Sequence, residues 1–137
     1  MDIEKLYRQS EMYNKKHDYD LSLALLRDAA HEILADSKIL IKNKNIEYFL
    51  GFVESVETEA ADYTRIGMTN SQSAIAKEMN KICLQIIRKY NVQDLHLRIS
   101  FIRAVMAEEK DPEKLKELEK EWNILLEKKM ALGRNKI

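Results

Sequence analysis

The sequence contains very few of the residues that proteins use for tight turns and cross-links. Its 137 residues include 3 Gly, 1 Pro and 1 Cys. So few Gly and Pro argue against β-sandwiches and α/β folds, which need turn residues at short intervals. The single cysteine, Cys83, excludes an intramolecular disulfide and a cysteine-based zinc cluster. It favours a reducing compartment, so we expect a cytoplasmic protein.

Long apolar runs and a net charge are also missing. The clear apolar runs, such as residues 23–26, are far shorter than the roughly 18–20 residues of a membrane span. The first five residues lack the basic start and apolar centre of a secretory signal. Because 23 basic side chains balance 23 acidic ones, the total charge points to no partner. These features predict a soluble protein that does not contact membranes.

What the sequence does contain is helical periodicity along nearly its whole length. Hydrophobic residues make up 45% of the chain and charged residues 34%. The periodicity predicts helices over about 2–16, 19–41, 46–66, 71–90, 92–108 and 112–131. We therefore expect an all-α protein, a five- or six-helix bundle with antiparallel neighbours. It would form one domain over residues 1–132, closed by Gly133, with residues 133–137 as a frayed tail.

Local signals mark several of the predicted helix ends. Asp18 or Asp20 is a suitable N-cap for the second helix. Residues 43–45, Asn-Lys-Asn, interrupt the apolar pattern before the third helix. Asp111 followed by Pro112 is a typical helix start, because proline suits the first helical position. These signals set the helix boundaries given above.

The apolar stripes predict which faces are buried. On the third helix the stripe runs through Val53 and Val56 to Tyr63, so Tyr63 is expected in the core. The fifth helix carries two stripes, one through Ile99 and Ile102 and the other through Leu97, Phe101 and Val105. Two apolar faces predict that this helix is covered on both sides.

The last helix carries an apolar seam with nearly heptad spacing. The seam contains Leu115, Leu118, Trp122, Leu125 and Leu132. It either closes the bundle or pairs with a second copy of the chain. In the second case Trp122 is the candidate anchor, since buried aromatic residues dominate binding hot spots.

The histidines and carboxylates do not complete a catalytic or metal-binding arrangement. Asp28, His31 and Glu32 share a helical face, but a metal site in a bundle needs matching ligands from other helices. Glu54 and Glu57 have the spacing of the carboxylate pairs in all-α nucleotide pyrophosphohydrolases, yet the next helix offers Glu78 without a second carboxylate.

Other enzyme classes fit no better. The spacing from arginine to histidine does not fit the HEPN ribonucleases, and Cys83 lies on an apolar stripe. There is no phosphate-binding Gly-rich loop and no Ser/His/Asp arrangement. We therefore expect no enzyme activity, no cofactor and no metal.

Charge is distributed unevenly along the chain. Residues 1–66 hold 9 basic and 13 acidic groups, whereas residues 67–106 hold 6 basic and 2 acidic groups. The acidic region offers a candidate partner-binding face at Glu54, Glu57 and Asp62. The basic region offers candidate phosphate-binding residues: Lys77, Lys81, Arg88, Arg98 and Arg103.

Residues 15–30, Lys-Lys-His-Asp-Tyr-Asp-Leu-Ser-Leu-Ala-Leu-Leu-Arg-Asp-Ala-Ala, resemble the turn and second helix of a tetratricopeptide repeat. The signature positions of the repeat are matched by Ser10, Tyr13, Ser22, Leu26 and Ala29. The chain departs from the family pattern at His17, where the repeat has glycine, and at Leu34, where it has proline.

The resemblance spans about residues 4–34 and does not recur at a 34-residue period, so a solenoid is not expected. It implies one tetratricopeptide-like helical hairpin at the start of the bundle. Such hairpins commonly make contacts between proteins.

Residues 72–88 resemble a helix-turn-helix, with Ala76 where the two helices would meet and Asn80 in the turn. The apolar stripe nevertheless continues through this segment without a break, which favours one uninterrupted helix. The main hypothesis is therefore a non-enzymatic module that binds another protein, which includes a second copy of itself. The alternative is a helix-turn-helix-like regulator that binds nucleic acid through residues 71–90.

Overall fold

The computed structural model describes residues 3–35, 43–66 and 74–134. Within these ranges the chain forms six helices and no strand, which confirms the expected all-α bundle. The helices are α1 (Ile3–Lys15), α2 (Tyr19–Ala35), α3 (Asn43–Ile66), α4 (Ala74–Lys89), α5 (Leu95–Glu108) and α6 (Pro112–Arg134). None of the helices in the described part of the chain combines enough length and apolar character to cross a bilayer.

Three helix bounds differ from the sequence prediction by three residues. Helix α5 begins at Leu95 instead of residue 92, and the other two differences lengthen a helix. Helix α3 begins at Asn43, so residues 43–45 form its first turn instead of a break before it. Helix α6 continues through Gly133 to Arg134, and Gly133 therefore does not close it. In both places the backbone is helical at residues that are only weakly unfavourable in helices, because a single Asn or Gly costs about 1 kcal/mol or less.

Aspartates cap three of the helices. The Asp18 carboxylate accepts a hydrogen bond from the Leu21 N–H at 3.3 Å, which identifies Asp18 as the N-cap of α2. Asp94 accepts from the Leu97 N–H at 3.0 Å. Asp111 accepts from the Glu113 N–H at 3.0 Å, as the sequence predicts for α6. Each cap satisfies one of the N–H groups that a helix start leaves unpaired.

Two helices end at residues with a left-handed backbone. His17 has a φ of 60° and Asn91 a φ of 50°. At the first, the Asp18 N–H donates to the Tyr13 carbonyl at 2.9 Å, and at the second the Val92 N–H donates to the Ile87 carbonyl at 3.0 Å. This is the hydrogen-bond pattern of a Schellman cap, which usually has glycine at the left-handed position.

Helices that are consecutive in the sequence run in opposite directions, whereas α2 and α4 run in the same direction. Arg27 of α2 pairs with Glu78 of α4 at 3.3 Å, and further along both helices the Tyr90 hydroxyl donates to the Ile33 carbonyl at 2.5 Å. The α2–α4 pair makes the most extensive contact between helices. Helices α1 and α3 pack on α2, α5 packs on α4, and α6 packs on α5.

Most of the core belongs to one set of side chains, which we call the large cluster. It joins α1 to α4 with the inner face of α5. Its members are Leu6, Leu23, Leu26, Ala29, Ala30, Ile33, Ile46, Phe49, Leu50, Val53, Val56, Ala76, Met79, Ile82, Cys83, Ile86, Ile87, Val92, Leu97 and Phe101.

A second set, the small cluster, joins α4, α5 and α6 and consists of Leu84, Ile102, Val105, Leu118 and Leu125. Helix α5 therefore contributes Leu97 and Phe101 to one cluster and Ile102 and Val105 to the other. The prediction that α5 is covered on two sides is confirmed, but Val105 lies with Ile102 and not, as predicted, with Leu97 and Phe101. Of the α6 seam, Leu118 and Leu125 are buried in the small cluster, whereas Leu132 is exposed.

Three polar side chains lie inside the apolar core. Ser10 and Ser22 are completely buried, and their hydroxyl groups bond to each other across the α1–α2 crossing. Small side chains here allow the two helices to approach closely. Asn80 of α4 is 1% exposed, and its side-chain oxygen and nitrogen have no hydrogen-bond partner in the described structure.

Candidate functional site

The acidic candidates Glu54 and Glu57 do not form an open face. One oxygen of Glu54 lies 2.6 Å from the Nε2 atom of His96, which ties α3 to the first turn of α5. The other oxygen of Glu54 and one oxygen of Glu57 are buried without a hydrogen-bond partner among the described residues. The two carboxylates are therefore held between helices and are only partly exposed.

Burial makes Glu57 an unusual carboxyl group. Loss of solvent, and then the neighbouring charge of Glu54, raises the pKa of Glu57 from 4.5 to about 8. Cys83 is completely buried, and burial together with Glu57 raises the pKa of its thiol well above 9.0. A thiol held in its neutral form is a poor nucleophile. Cys83 is therefore a core residue, as the sequence predicts.

The histidine of α2 lies opposite α4. The His31 ring nitrogen is 3.9 Å from Glu78, and Arg27 pairs with the same carboxylate as well as with Asp28 at 3.6 Å. These are contacts between charged side chains at the surface. Within residues 3–35, 43–66 and 74–134, no group of three or more His, Cys, Asp or Glu side chains has the arrangement of a metal site.

Three of the five basic candidates are paired with carboxylates of α5 or α6. Lys77 lies 3.4 Å from Glu108. Arg88 and Arg98 both face Glu121, at 3.1 Å and 3.9 Å. The remaining two, Lys81 and Arg103, are exposed. A phosphate approaching this face would meet the paired carboxylates as well as the cations.

The helix-turn-helix interpretation of residues 71–90 is wrong for the part that the structure describes. Ala74–Lys89 is a single helix without a turn, and residues 71–73 lie outside the described ranges. Asn80 sits in the middle of this helix and is buried. The apolar stripe explains why, because it binds successive turns of one helix to the same core.

Trp122 is partly buried at the edge of the bundle. It lies against the small cluster, and its indole N–H is buried without an acceptor among the described residues. Three large apolar side chains of α6 are exposed instead: Ile124, Met130 and Leu132. Leu132 helps to line an open groove of about 450 Å³ beside the start of α5, together with Gln93, Leu95, Arg98, Lys128 and Ala131.

A group of three rings, two of them exposed and one partly buried, lies where α3 passes the turn between α1 and α2. We call His17, Tyr19 and Tyr63 the aromatic patch. The His17 and Tyr63 rings stack with centroids 4.2 Å apart and planes 3° apart. Tyr19 lies tilted at 5.8 Å from Tyr63 and 6.1 Å from His17.

The sequence pattern did not predict this patch. It placed Tyr63 on the buried stripe of α3, but Tyr63 is 45% exposed, because α3 extends beyond the part of α2 that covers it. The sequence pattern places His17 in a turn and indicates no binding role for it. Of the acidic candidates, Asp62 is adjacent to Tyr63 and lies at the surface. The sequence did contain a signal for the aromatic patch, because the rings of His17 and Tyr19 flank Asp18 in a predicted turn.

A second ring contact joins the beginnings of α1 and α3. Tyr7 packs at 4.7 Å from Phe52 and 5.3 Å from Tyr48. Burial, and then Tyr48, raises the pKa of Tyr7 to about 12. Tyr48 itself is 63% exposed. With the aromatic patch at the other end, these contacts show that α1 and α3 lie side by side and run in the same direction.

No family model matches this chain, and no curated protein or solved structure matches it significantly.

Proposed function

We propose that the protein is a non-enzymatic module that binds another protein, and that the aromatic patch is its docking surface. The observation that carries this proposal is the exposure of His17 and Tyr63, whose stacked rings contact the partly buried ring of Tyr19 at the edge of the large cluster. Aromatic side chains are enriched at protein interfaces because they bury a large area with few rotatable bonds. The implied tetratricopeptide-like hairpin, whose turn holds His17, agrees with this role.

Placing photo-reactive benzoylphenylalanine at position 63 tests the proposal. Irradiation in an extract of the source cells should yield a covalent adduct with a second polypeptide. The same probe at Gln85, an exposed polar position on α4, is the matched control and should yield none. If position 63 gives no adduct, or the same adducts as position 85, the proposal is wrong.

Self-association through α6 is distinguished by the same method. A probe at Ile124, which is 54% exposed, should form an adduct of twice the chain mass if a second copy is the partner. Sedimentation velocity then gives the oligomeric state independently. A dimer that is linked from position 124 and not from position 63 would transfer the docking role to α6.

Nucleic acid remains the alternative partner, and the pairing of Lys77, Arg88 and Arg98 with carboxylates favours protein over it. Fluorescence anisotropy of a labelled random duplex at about 50 mM and 200 mM salt provides the test. A protein that neutralises six or more phosphates loses roughly a thousandfold in affinity between these conditions. We expect no such binding, and tight binding with this salt dependence would favour the alternative.

A further inference from the structure

The backbone at the aromatic patch is unusual for the residue that it carries. His17 adopts a φ of 60°, a conformation that is costly for residues with a side chain and that favours glycine. The turn is held by hydrogen bonds from the His17 N–H to the Asn14 carbonyl and from the Asp18 N–H to the Tyr13 carbonyl, both 2.9 Å. A strained non-glycine residue at an exposed site suggests that its side chain is used.

Two side-chain contacts of His17 hold the aromatic patch in one arrangement. The His17 Nδ1 atom lies 3.3 Å from the Tyr19 hydroxyl, and the His17 ring lies flat on Tyr63. The rings therefore need little reorganisation before they bind a partner. Because His17 and Tyr63 stack directly, no space remains between them for a ligand, and the outer ring faces and edges are what a partner can reach.

The charges around the rings are mostly negative. Asp18 and Asp20 flank Tyr19 in the sequence, and Glu59 lies one helical turn before Tyr63. Glu59 and Tyr63 are four residues apart on α3 and both exposed, so their side chains lie on the same face of the helix. Burial raises the pKa of Tyr19, and Glu59 and then Tyr63 raise it further, in agreement with this position. Among the side chains that the structure describes, Asp62 adds a fourth carboxylate, and the exposed cations nearby in the sequence are Lys15 and Lys16.

Aromatic faces beside carboxylates are a suitable surface for one kind of side chain. A guanidinium group is planar and stacks on rings, is weakly hydrated, and forms forked hydrogen bonds with a carboxylate. A quaternary ammonium group fits less well, since it prefers a cage of separated rings. We infer that the aromatic patch, together with Glu59, binds an arginine side chain of the partner protein. This inference rests on the proposed docking function.

A peptide titration tests the inference without the natural partner. The probe is the pentapeptide Gly-Arg-Gly-Arg-Gly, added to the ¹⁵N-labelled full chain and followed by NMR. Its control contains citrulline, which keeps the shape of arginine and lacks the charge. We expect shifts at the amides of His17, Tyr19 and Tyr63, and at least tenfold weaker binding of the citrulline peptide.

Substitutions identify the groups that bind. Tyr63→Ala should weaken arginine-peptide binding at least fivefold and Glu59→Gln about threefold, whereas Tyr63→Phe keeps the ring face and most of the affinity. Tyr48→Ala is the matched control because Tyr48 is also an exposed tyrosine and lies at the far end of α3, and this variant should bind as the unmodified chain does.

His17→Gly separates binding from folding. Glycine accepts the left-handed backbone, so this variant should retain its far-ultraviolet circular dichroism while losing at least threefold in affinity. Equal binding of the two peptides, or unchanged binding by the Tyr63→Ala and His17→Gly variants, would overturn the inference. A partner cross-linked from position 63 but insensitive to Glu59→Gln would overturn it and leave the docking function standing.

Discussion

The large and small clusters differ in how completely the rest of the molecule covers them. In the large cluster Leu26, Phe49 and Leu50 are 0% exposed, because helices lie on every side. In the small cluster Leu118 and Val105 are each 7% exposed, and Trp122 is only partly buried at the edge. The difference follows from the position of α6, which packs on α5 from one side and has no further helix of the described chain beyond it.

Helix lengths explain the exposed end of α6. It has 23 residues and α5 has 14, so α6 extends about 13 Å further at 1.5 Å per residue. Met130 and Leu132 lie on this extension and are 63% and 53% exposed. An apolar seam therefore predicts burial only along the part of a helix that a neighbouring helix covers.

Truncation in the large cluster should have the largest effect. Leu26→Ala removes a completely buried side chain and leaves a cavity that helices on all sides cannot fill. We expect the free energy of unfolding to fall by about 3–4 kcal/mol, measured by urea denaturation. Leu118→Ala in the small cluster should cost about 2 kcal/mol, and Leu132→Ala, at an exposed position, less than about 0.5 kcal/mol. Equal losses for Leu26 and Leu118 would contradict the difference between the clusters.

Trp122→Ala tests whether this side chain supports the bundle or an interface. Because Trp122 packs against the small cluster at its edge, we expect a loss of about 2–3 kcal/mol, below the range for fully buried tryptophan. Urea denaturation followed by circular dichroism measures it. An unchanged stability combined with loss of a dimer in sedimentation would instead support the anchor role that the sequence suggested.

Glu57→Gln should stabilise the protein at high pH. The pKa of Glu57 is raised to about 8 from 4.5, so the folded chain binds one more proton than the unfolded chain between these values. The corresponding stability is fully present below about pH 4.5 and is lost as the pH rises through 8. Glutamine cannot ionise, so we expect about 2 kcal/mol more stability than the native chain at pH 9 and a smaller difference at pH 5.

Urea denaturation of both chains at pH 5 and pH 9 measures this effect. Asp62→Asn is the control, because Asp62 is an exposed carboxylate on the same helix. A pH dependence that is the same for the native chain and the Glu57→Gln variant would show that Glu57 ionises normally.

A smaller effect than for Leu26 or Trp122 is expected at the buried serine pair between α1 and α2. Ser10→Ala leaves the buried Ser22 hydroxyl without its side-chain partner, at a cost of about 1–2 kcal/mol. The double variant Ser10→Ala/Ser22→Ala should recover part of this loss, because no hydroxyl then remains unpaired. Thermal unfolding of the three variants measures the coupling, and purely additive losses would show that the hydroxyl contact contributes nothing.

Local patterns predicted most of the helical structure. The caps at Asp18 and Asp111 depend on neighbouring residues only, and the double stripe of α5 follows from its own sequence. The candidate sites were harder to predict. Whether Glu57 is exposed depends on α4 and α5, which are distant in sequence.

The sequence by itself determined that this chain is helical, where most helices begin, and which stripes are apolar, because these properties follow from interactions within a few residues. Only the tertiary structure decided which charges remain accessible. It buried Glu57, paired Arg88 with Glu121, and brought Tyr63 onto His17, 46 positions away in the chain. The physical reason is that solvent exposure is a property of how helices pack together, and the pattern along one helix does not contain the position of its neighbours.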